Sequence, residues 1–117
     1  MQRALIIEDE FDVRQLIVRA LKAEGFEIEE TDNGLDGYDL FKTSQFDIIL
    51  MDIYMPVMNG VDLARKIRYE GSQIPIIFVS ALLPKGDELD EIKKLSSHLI
   101  EKPFKPSELI ERINKSI

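Results

Sequence analysis

The side chains best suited to chemistry sit directly after apolar runs. Glu8-Asp9-Glu10 follows Ala4-Leu5-Ile6-Ile7. Asp52 follows Phe46 to Met51, a run broken only by Asp47. Ser80-Ala81 follows Ile74 to Val79, and Lys102 follows the short stretch His98 to Glu101. Thr31-Asp32 closes a weaker run that starts at Phe26. Acid pair, acid, hydroxyl and amine make an all-oxygen donor set with one cation beside it. Such a set suits a hard divalent ion that keeps some of its water, Mg²⁺ rather than zinc. It works only if the fold brings these separate run ends to one place.

The elements around these residues predict that it does. Short continuous apolar runs read as strands buried on both faces. Between them the spacing turns helical. Val13, Leu16, Ile17, Ala20 and Leu21 form one face from Asp12 onward, and Gly25 stops that segment. Asn33-Gly34 turns the chain into a helix carrying Tyr38 and Leu40-Phe41 to about Thr43. Asn59-Gly60 reads as a turn before Val61, Leu63-Ala64 and Ile67. Leu89, Ile92 and Leu95 mark a fourth helix, and Pro106 stands as the first residue of a fifth, with Leu109, Ile110, Ile113 and Ile117 on one face. Five strand-then-helix units imply an α/β fold, a doubly wound five-stranded parallel sheet with helices on both sides. Its ligands belong beyond the carboxyl ends of the strands, where the candidate residues fall.

Gathered there, Glu8, Asp9 and Asp52 would repel one another by about 3 kcal/mol per pair at ~5 Å and an effective dielectric of ~20. A fold carries that only with a compensating cation or a raised pKa. Lys102 supplies part of the compensation. Each residue alone has an ordinary reading: Asp9 or Glu10 as a helix cap, Ser80 as a turn serine, Lys102 as a surface lysine. The joint arrangement is what points to chemistry.

Composition narrows the classes. The chain has 117 residues, 44% hydrophobic and 32% charged, which fits one globular domain, 1–117, and no second. Lys and Arg number 15 against 22 Asp and Glu, a formal charge of −7. That sign argues against nucleic-acid binding and against an anionic membrane surface. Without cysteine there is no disulfide, thiolate nucleophile or thiolate metal site, and a single histidine, His98, excludes paired-His catalysis. Met1-Gln2-Arg3 leads into the first run with no cleavage-site pattern, so no signal peptide is expected, and Ile74 to Leu83 is too short to span a bilayer. A cytoplasmic location is expected.

Together these residues resemble the receiver domain of bacterial two-component response regulators, whose single-domain form is the chemotaxis regulator. The resemblance covers essentially the whole chain. It rests on Glu8-Asp9 after Leu5-Ile6-Ile7, on Asp52 with Met55-Pro56 and Asn59-Gly60, on Ser80-Ala81, and on Lys102-Pro103-Phe104. It implies a flavodoxin-like (βα)5 fold with strand order 2-1-3-4-5. Asp52 would accept a phosphoryl group as a carboxylate nucleophile. Asp9 would bind Mg²⁺ directly, with Asp52 and the backbone carbonyl of Tyr54, and Glu8 would act mainly through a metal-bound water. Lys102 would pair with the phosphoryl oxygens and Ser80 would hydrogen-bond one of them. The Lys102–Pro103 peptide would be cis. Phosphoryl transfer asks for charge neutralisation around three oxygens and an in-line nucleophile, and this set offers both.

The implied activity is a phosphorelay switch: Mg²⁺-dependent transfer to Asp52 from a histidine kinase or histidine phosphotransfer protein docking near Asp52 and the first helix. Such a domain catalyses its own phosphorylation and dephosphorylation, and is a signalling device rather than a metabolic enzyme. Its downstream protein target would meet the face of helix 4, strand 5 and helix 5. Leu99 departs from the pattern, since the family often has an aromatic residue three places before this lysine. Tyr54 and Leu82 flank the site. The alternatives fit less well. A phosphohydrolase with an aspartyl nucleophile would want an acid where Tyr54 stands. A flavin or nucleotide binder would want glycines where Glu8-Asp9-Glu10 would repel a phosphate. A degenerate receiver, acting as a phosphorylation-independent interaction module, would not need the full set of acids and Lys102.

Overall fold

A computed structural model describes residues 2–117. Met1, the first residue of the segment read for a signal peptide, lies outside the described residues. The elements alternate: β1 (Arg3–Ile7), α1 (Phe11–Ala23), β2 (Glu27–Thr31), α2 (Gly34–Thr43), β3 (Ile48–Asp52), α3 (Gly60–Tyr69), β4 (Ile76–Ser80), α4 (Gly86–Leu95), β5 (His98–Glu101) and α5 (Pro106–Ser116). All pairings are parallel and the strand order is β2-β1-β3-β4-β5, the doubly wound sheet expected from the sequence.

Strand alternation divides the core into two layers. Leu5, Ile7, Ile49, Met51 and Phe78 face one side of the sheet, where they meet Val61, Leu63, Ala64 and Ile67 of α3 and Ile92 of α4. Ala4, Ile6, Ile48, Leu50, Ile77 and Val79 face the other, against Ile17, Val18 and Leu21 of α1 and Leu109 and Ile113 of α5. Every residue of β3 and β4 is buried, which is why their sequences read as unbroken apolar runs. β2 is one of the two edge strands, and its exposed Glu27, Glu29 and Glu30 guard that edge against further pairing.

β3 and β4 start later than their apolar runs. Asp47 precedes the β3 ladder because its carboxylate accepts the Arg3 backbone N–H at 2.8 Å while its own N–H reaches the Arg3 carbonyl. Pro75 has no N–H to donate, so β4 begins at Ile76 and ends on Ser80 itself. The two Asn-Gly pairs, read as turns, open helices. Asn33 and Asn59 cap α2 and α3 by accepting the N–H of Asp36 and Asp62. Gly60 is required by space: a Cβ there would stand 2.2 Å from the Asp52 carbonyl oxygen, so the start of α3 packs directly on the end of β3. No helix among the described residues is long and apolar enough to cross a membrane.

Candidate functional site

Three parallel strands, β1, β3 and β5, deliver Glu8, Asp52 and Lys102 to the carboxyl edge of the sheet. Glu8 is the first residue past β1, pinned by its N–H to the Thr31 carbonyl at 3.0 Å and by its carbonyl to Arg14 Nη1 at 2.8 Å. Asp52 is the last residue of β3. Lys102 follows β5 with its N–H on the Ser80 carbonyl at 2.8 Å, and its peptide bond to Pro103 is cis. Glu8 is 1% exposed and Asp52 5%, so neither carboxylate is hydrated as a surface acid would be.

One amine serves three carboxylates. Lys102 Nζ lies 2.8 Å from Glu8 Oε1, 3.1 Å from Glu10 Oε1 and 3.2 Å from Asp52 Oδ2. Oxygens of the three acids lie within 4.8 Å of one another. Further donors share the load: the Glu10 N–H reaches Glu8 Oε2 at 3.1 Å, and the Tyr54 N–H reaches Asp52 Oδ1 at 3.3 Å. Glu8 Oε1 makes only the ion contact with the amine and no hydrogen bond of good geometry. Burial, with the Asp52 charge adding to it, pushes Glu8 up to about 7 against the opposing pull of Lys102 and the Glu10 N–H. Burial pulls the Lys102 amine down, and Glu8, Glu10 and Asp52 more than reverse that, leaving its pKa raised. Both devices anticipated for crowded acids, a counter-cation and a raised pKa, are therefore present.

The remaining sequence candidates fall in varied places. Asp9 is exposed and makes no hydrogen bond or ion pair among the described residues; Glu10, read as a possible cap, stands in the carboxylate trio instead. Glu10 does occupy the N-cap position of α1, but its side chain makes no capping hydrogen bond. Ser80 is buried, and its Oγ donates to the Leu82 carbonyl at 2.8 Å and accepts the Leu82 N–H at 3.3 Å, the local turn bond that a lone serine would make. Tyr54 reaches across to α4, its hydroxyl 3.3 Å from Glu88 Oε1. His98 opens β5, at the far end of that strand from Lys102. Leu99 is half-buried against the layer under α2, α3 and α4. Sequence reasoning missed Glu10's place, although the run of three acids was the signal, and missed the Tyr54–Glu88 contact.

A cleft of about 350 Å³ opens beside the amine, lined by Glu10, Val13, Leu16, Ala81, Pro103 and Phe104 as well as Lys102. A larger cavity of about 520 Å³, by Arg3, Phe46 and Asp47, lies at the amino edge of the sheet, away from these acids. The acidic pocket fits a hard divalent cation on its own chemistry. Three carboxylates face one ammonium, and the buried Glu8 Oε1 has that shared ammonium as its one polar partner among the described residues.

Residues 4–114 match the family model of the response regulator receiver domain. The chain belongs to that family. A probable transcriptional regulatory protein of Picosynechococcus sp. is 35% identical over 117 aligned residues, covering 94% of this chain and 47% of the relative. The transcriptional regulatory protein SrrA of Staphylococcus aureus is 38% identical over 112 residues, covering 93% of this chain and 45% of the relative. This receiver domain thus spans about half the length of the curated relatives it matches. Among solved structures, the response regulator protein TrrA of Thermotoga maritima, in complex with Mg²⁺–BeF, superposes with a TM-score of 0.90 at 29% identity over 100% of both chains. The receiver domain of a Pseudomonas aeruginosa sensor histidine kinase, with a magnesium ion in its active site cleft, gives 0.88 at 26% identity over 98% of this chain and 96% of that one. The chemotaxis response regulator CheY4 of Vibrio cholerae shares the fold, with a TM-score of 0.90 at 24% identity over 100% of this chain and 99% of that one.

Proposed function

We propose that residues 1–117 act as one receiver domain that takes a phosphoryl group from a histidine kinase or histidine phosphotransfer protein onto Asp52, in a Mg²⁺-dependent reaction. The observation that carries this is the buried Asp52 carboxylate at the end of β3, 3.2 Å from the Lys102 amine at the edge where such sheets bind ligands. An Asp52 oxygen attacks the phosphorus of a phosphohistidine. The new O–P bond forms as the N–P bond breaks, and the electron pair leaves with the imidazole of the donor. β3 and the close packing of Gly60 on the Asp52 carbonyl keep the nucleophile from shifting. Lys102, beside the Asp52 carboxylate, meets the phosphoryl oxygens and neutralises charge that develops there. Ser80 exchanges its bond to the Leu82 carbonyl for one to a phosphoryl oxygen, which alters the β4–α4 turn and so the α4–β5–α5 face offered to a downstream protein.

Mg²⁺, when bound, adds positive charge beside the transferring group. The Glu8, Asp9 and Asp52 side chains and the Tyr54 backbone carbonyl would hold it, with Glu8 acting through water. The proposed setting is the cytoplasm, and neither nucleic acid nor membrane is a partner of this domain. The relatives solved with magnesium and with Mg²⁺–BeF support the reading. Intact mass after incubation with acetyl phosphate, with and without Mg²⁺, tests it. One Mg²⁺-dependent phosphoryl adduct, absent from Asp52→Asn, is the expected result. Absence of both an adduct and a stable beryllofluoride complex would favour a phosphorylation-independent interaction module.

A further inference from the structure

The third carboxylate on Lys102 has no place in the chemistry just described. An ammonium has three N–H bonds, and three acids already surround this one at 2.8, 3.1 and 3.2 Å. An incoming phosphoryl oxygen reaches the amine only if one of them yields. Glu8 is 1% exposed, so its release would leave a buried charge unpaired. Asp52 is the nucleophile and stays a carboxylate until the new bond forms. The Glu10 side chain is 59% exposed, stands at the first turn of α1 and makes no capping bond there. It alone can let go of the amine and be solvated by water with no change in the strands. While it stays, one of its oxygens lies within 4.8 Å of a carboxylate oxygen on each of Glu8 and Asp52, and its charge repels any further anion.

We propose that Glu10 is a displaceable counterion: it holds Lys102 in the resting pocket and competes with the phosphoryl group for that amine. The inference rests on the phosphoacceptor reading above and adds to it a residue that sets the balance between resting and phosphoryl-bound states. Glu10 is a positioning residue, acting through Lys102.

Glu10→Gln keeps the shape and removes the charge. Calorimetric titration with Mg²⁺ alone, and then with beryllofluoride at saturating Mg²⁺, separates the roles open to Glu10. Glu10→Gln is expected to bind beryllofluoride about fivefold tighter than wild type, the size of one partly exposed ion contact, with its Mg²⁺ affinity within about twofold. Asp12→Asn, which removes a charge from the same turn away from Lys102, is expected to leave both affinities unchanged. Unchanged or weaker beryllofluoride binding in Glu10→Gln overturns the inference. Weaker Mg²⁺ binding without that gain makes Glu10 a metal ligand instead. Wild type that binds no beryllofluoride removes the phosphoacceptor reading and this inference together. Wild-type binding that Glu10→Gln merely equals removes this inference alone.

Discussion

Two clusters of ionised side chains in this domain are built on opposite plans. On the outer surface of α2, α3 and α4 the charges are matched locally. Glu70 takes both the Tyr38 hydroxyl, at 2.5 Å, and Lys42, at 2.6 Å, while Lys66 lies over the Tyr38 ring. Arg65 forms a fork with Glu91, its Nε 2.6 Å from Oε2, and also bonds Asp62. At the carboxyl edge a single buried ammonium faces three carboxylates. The surface cluster links helices and ends there. The buried one keeps an excess of negative charge with Glu8 and Asp52 largely out of water, which makes it responsive to any cation or anion that enters. A charge imbalance that folding alone would select against is the clearest physical mark of the working end of this domain.

Removing the buried cation is the strongest way to test that contrast. Lys102→Met leaves Glu8 and Asp52 buried with no counter-charge, and in metal-free buffer it is expected to cost about 3 kcal/mol in urea unfolding. Arg65→Ala, a larger loss of contacts at the surface, is expected to cost only a small fraction of that. Equal costs would mean that the two clusters do not differ in kind.

The contrast was only half legible in the sequence. Glu8, Asp52 and Lys102 were legible because each directly follows an apolar run, and a parallel sheet buried on both faces turns the ends of its runs into one edge. The face that each acid of Glu8-Asp9-Glu10 would present was not. It depends on how the chain enters α1, and there the structure sends Glu10 toward Lys102 and leaves Asp9 exposed. Asn33 and Asn59 were read as turn residues because Asn-Gly signals a turn. The aspartates three places on, whose N–H groups they cap, were the overlooked sign of helix starts. The late start of β3 at Ile48 depends on Asp47 bonding to Arg3, a contact that local pattern cannot reveal. The surface clusters pair residues of different helices, such as Arg65 with Glu91, and nothing in the spacing of either helix points to the other.

A smaller effect separates the clusters by pH. Glu8 titrates at about 7 in the folded protein against an ordinary 4.5, so the folded state holds the extra proton between those values. Its contribution to stability is fully present below about 4.5 and is lost as pH rises through 7. The carboxyls of Glu70 and Glu91 are shifted the other way, so their effect falls below that window. The pKa of His98 is lowered by burial and by Arg112 and Lys115, so its effect has the opposite sign, stability rising with pH through about 6.5. Between pH 6.5 and 8, with EDTA present, the melting temperature is expected to drop by about 3 °C. Glu8→Gln should flatten that slope, and so should saturating Mg²⁺, which offsets the carboxylate charge as it appears. A slope that survives in Glu8→Gln would assign the titration to another group.

The smallest effect is expected where the bonds look strongest. The Arg65–Glu91 fork has good geometry, yet the Arg65 side chain is 52% exposed and that of Glu91 37%, so water already solvates both partners in the unfolded and the folded chain. A double-mutant cycle with Arg65→Ala and Glu91→Ala is expected to give a coupling close to zero, falling further in 1 M salt as screening shortens the reach of each charge. The same cycle on Lys102 and Glu8 is expected to give a clearly larger coupling, and one that changes less with salt, because their side chains are only 8% and 1% exposed. Were the surface coupling the larger of the two, short distances would be the better guide to energy than burial, and the imbalance around Lys102 would lose its standing as the feature that marks the site.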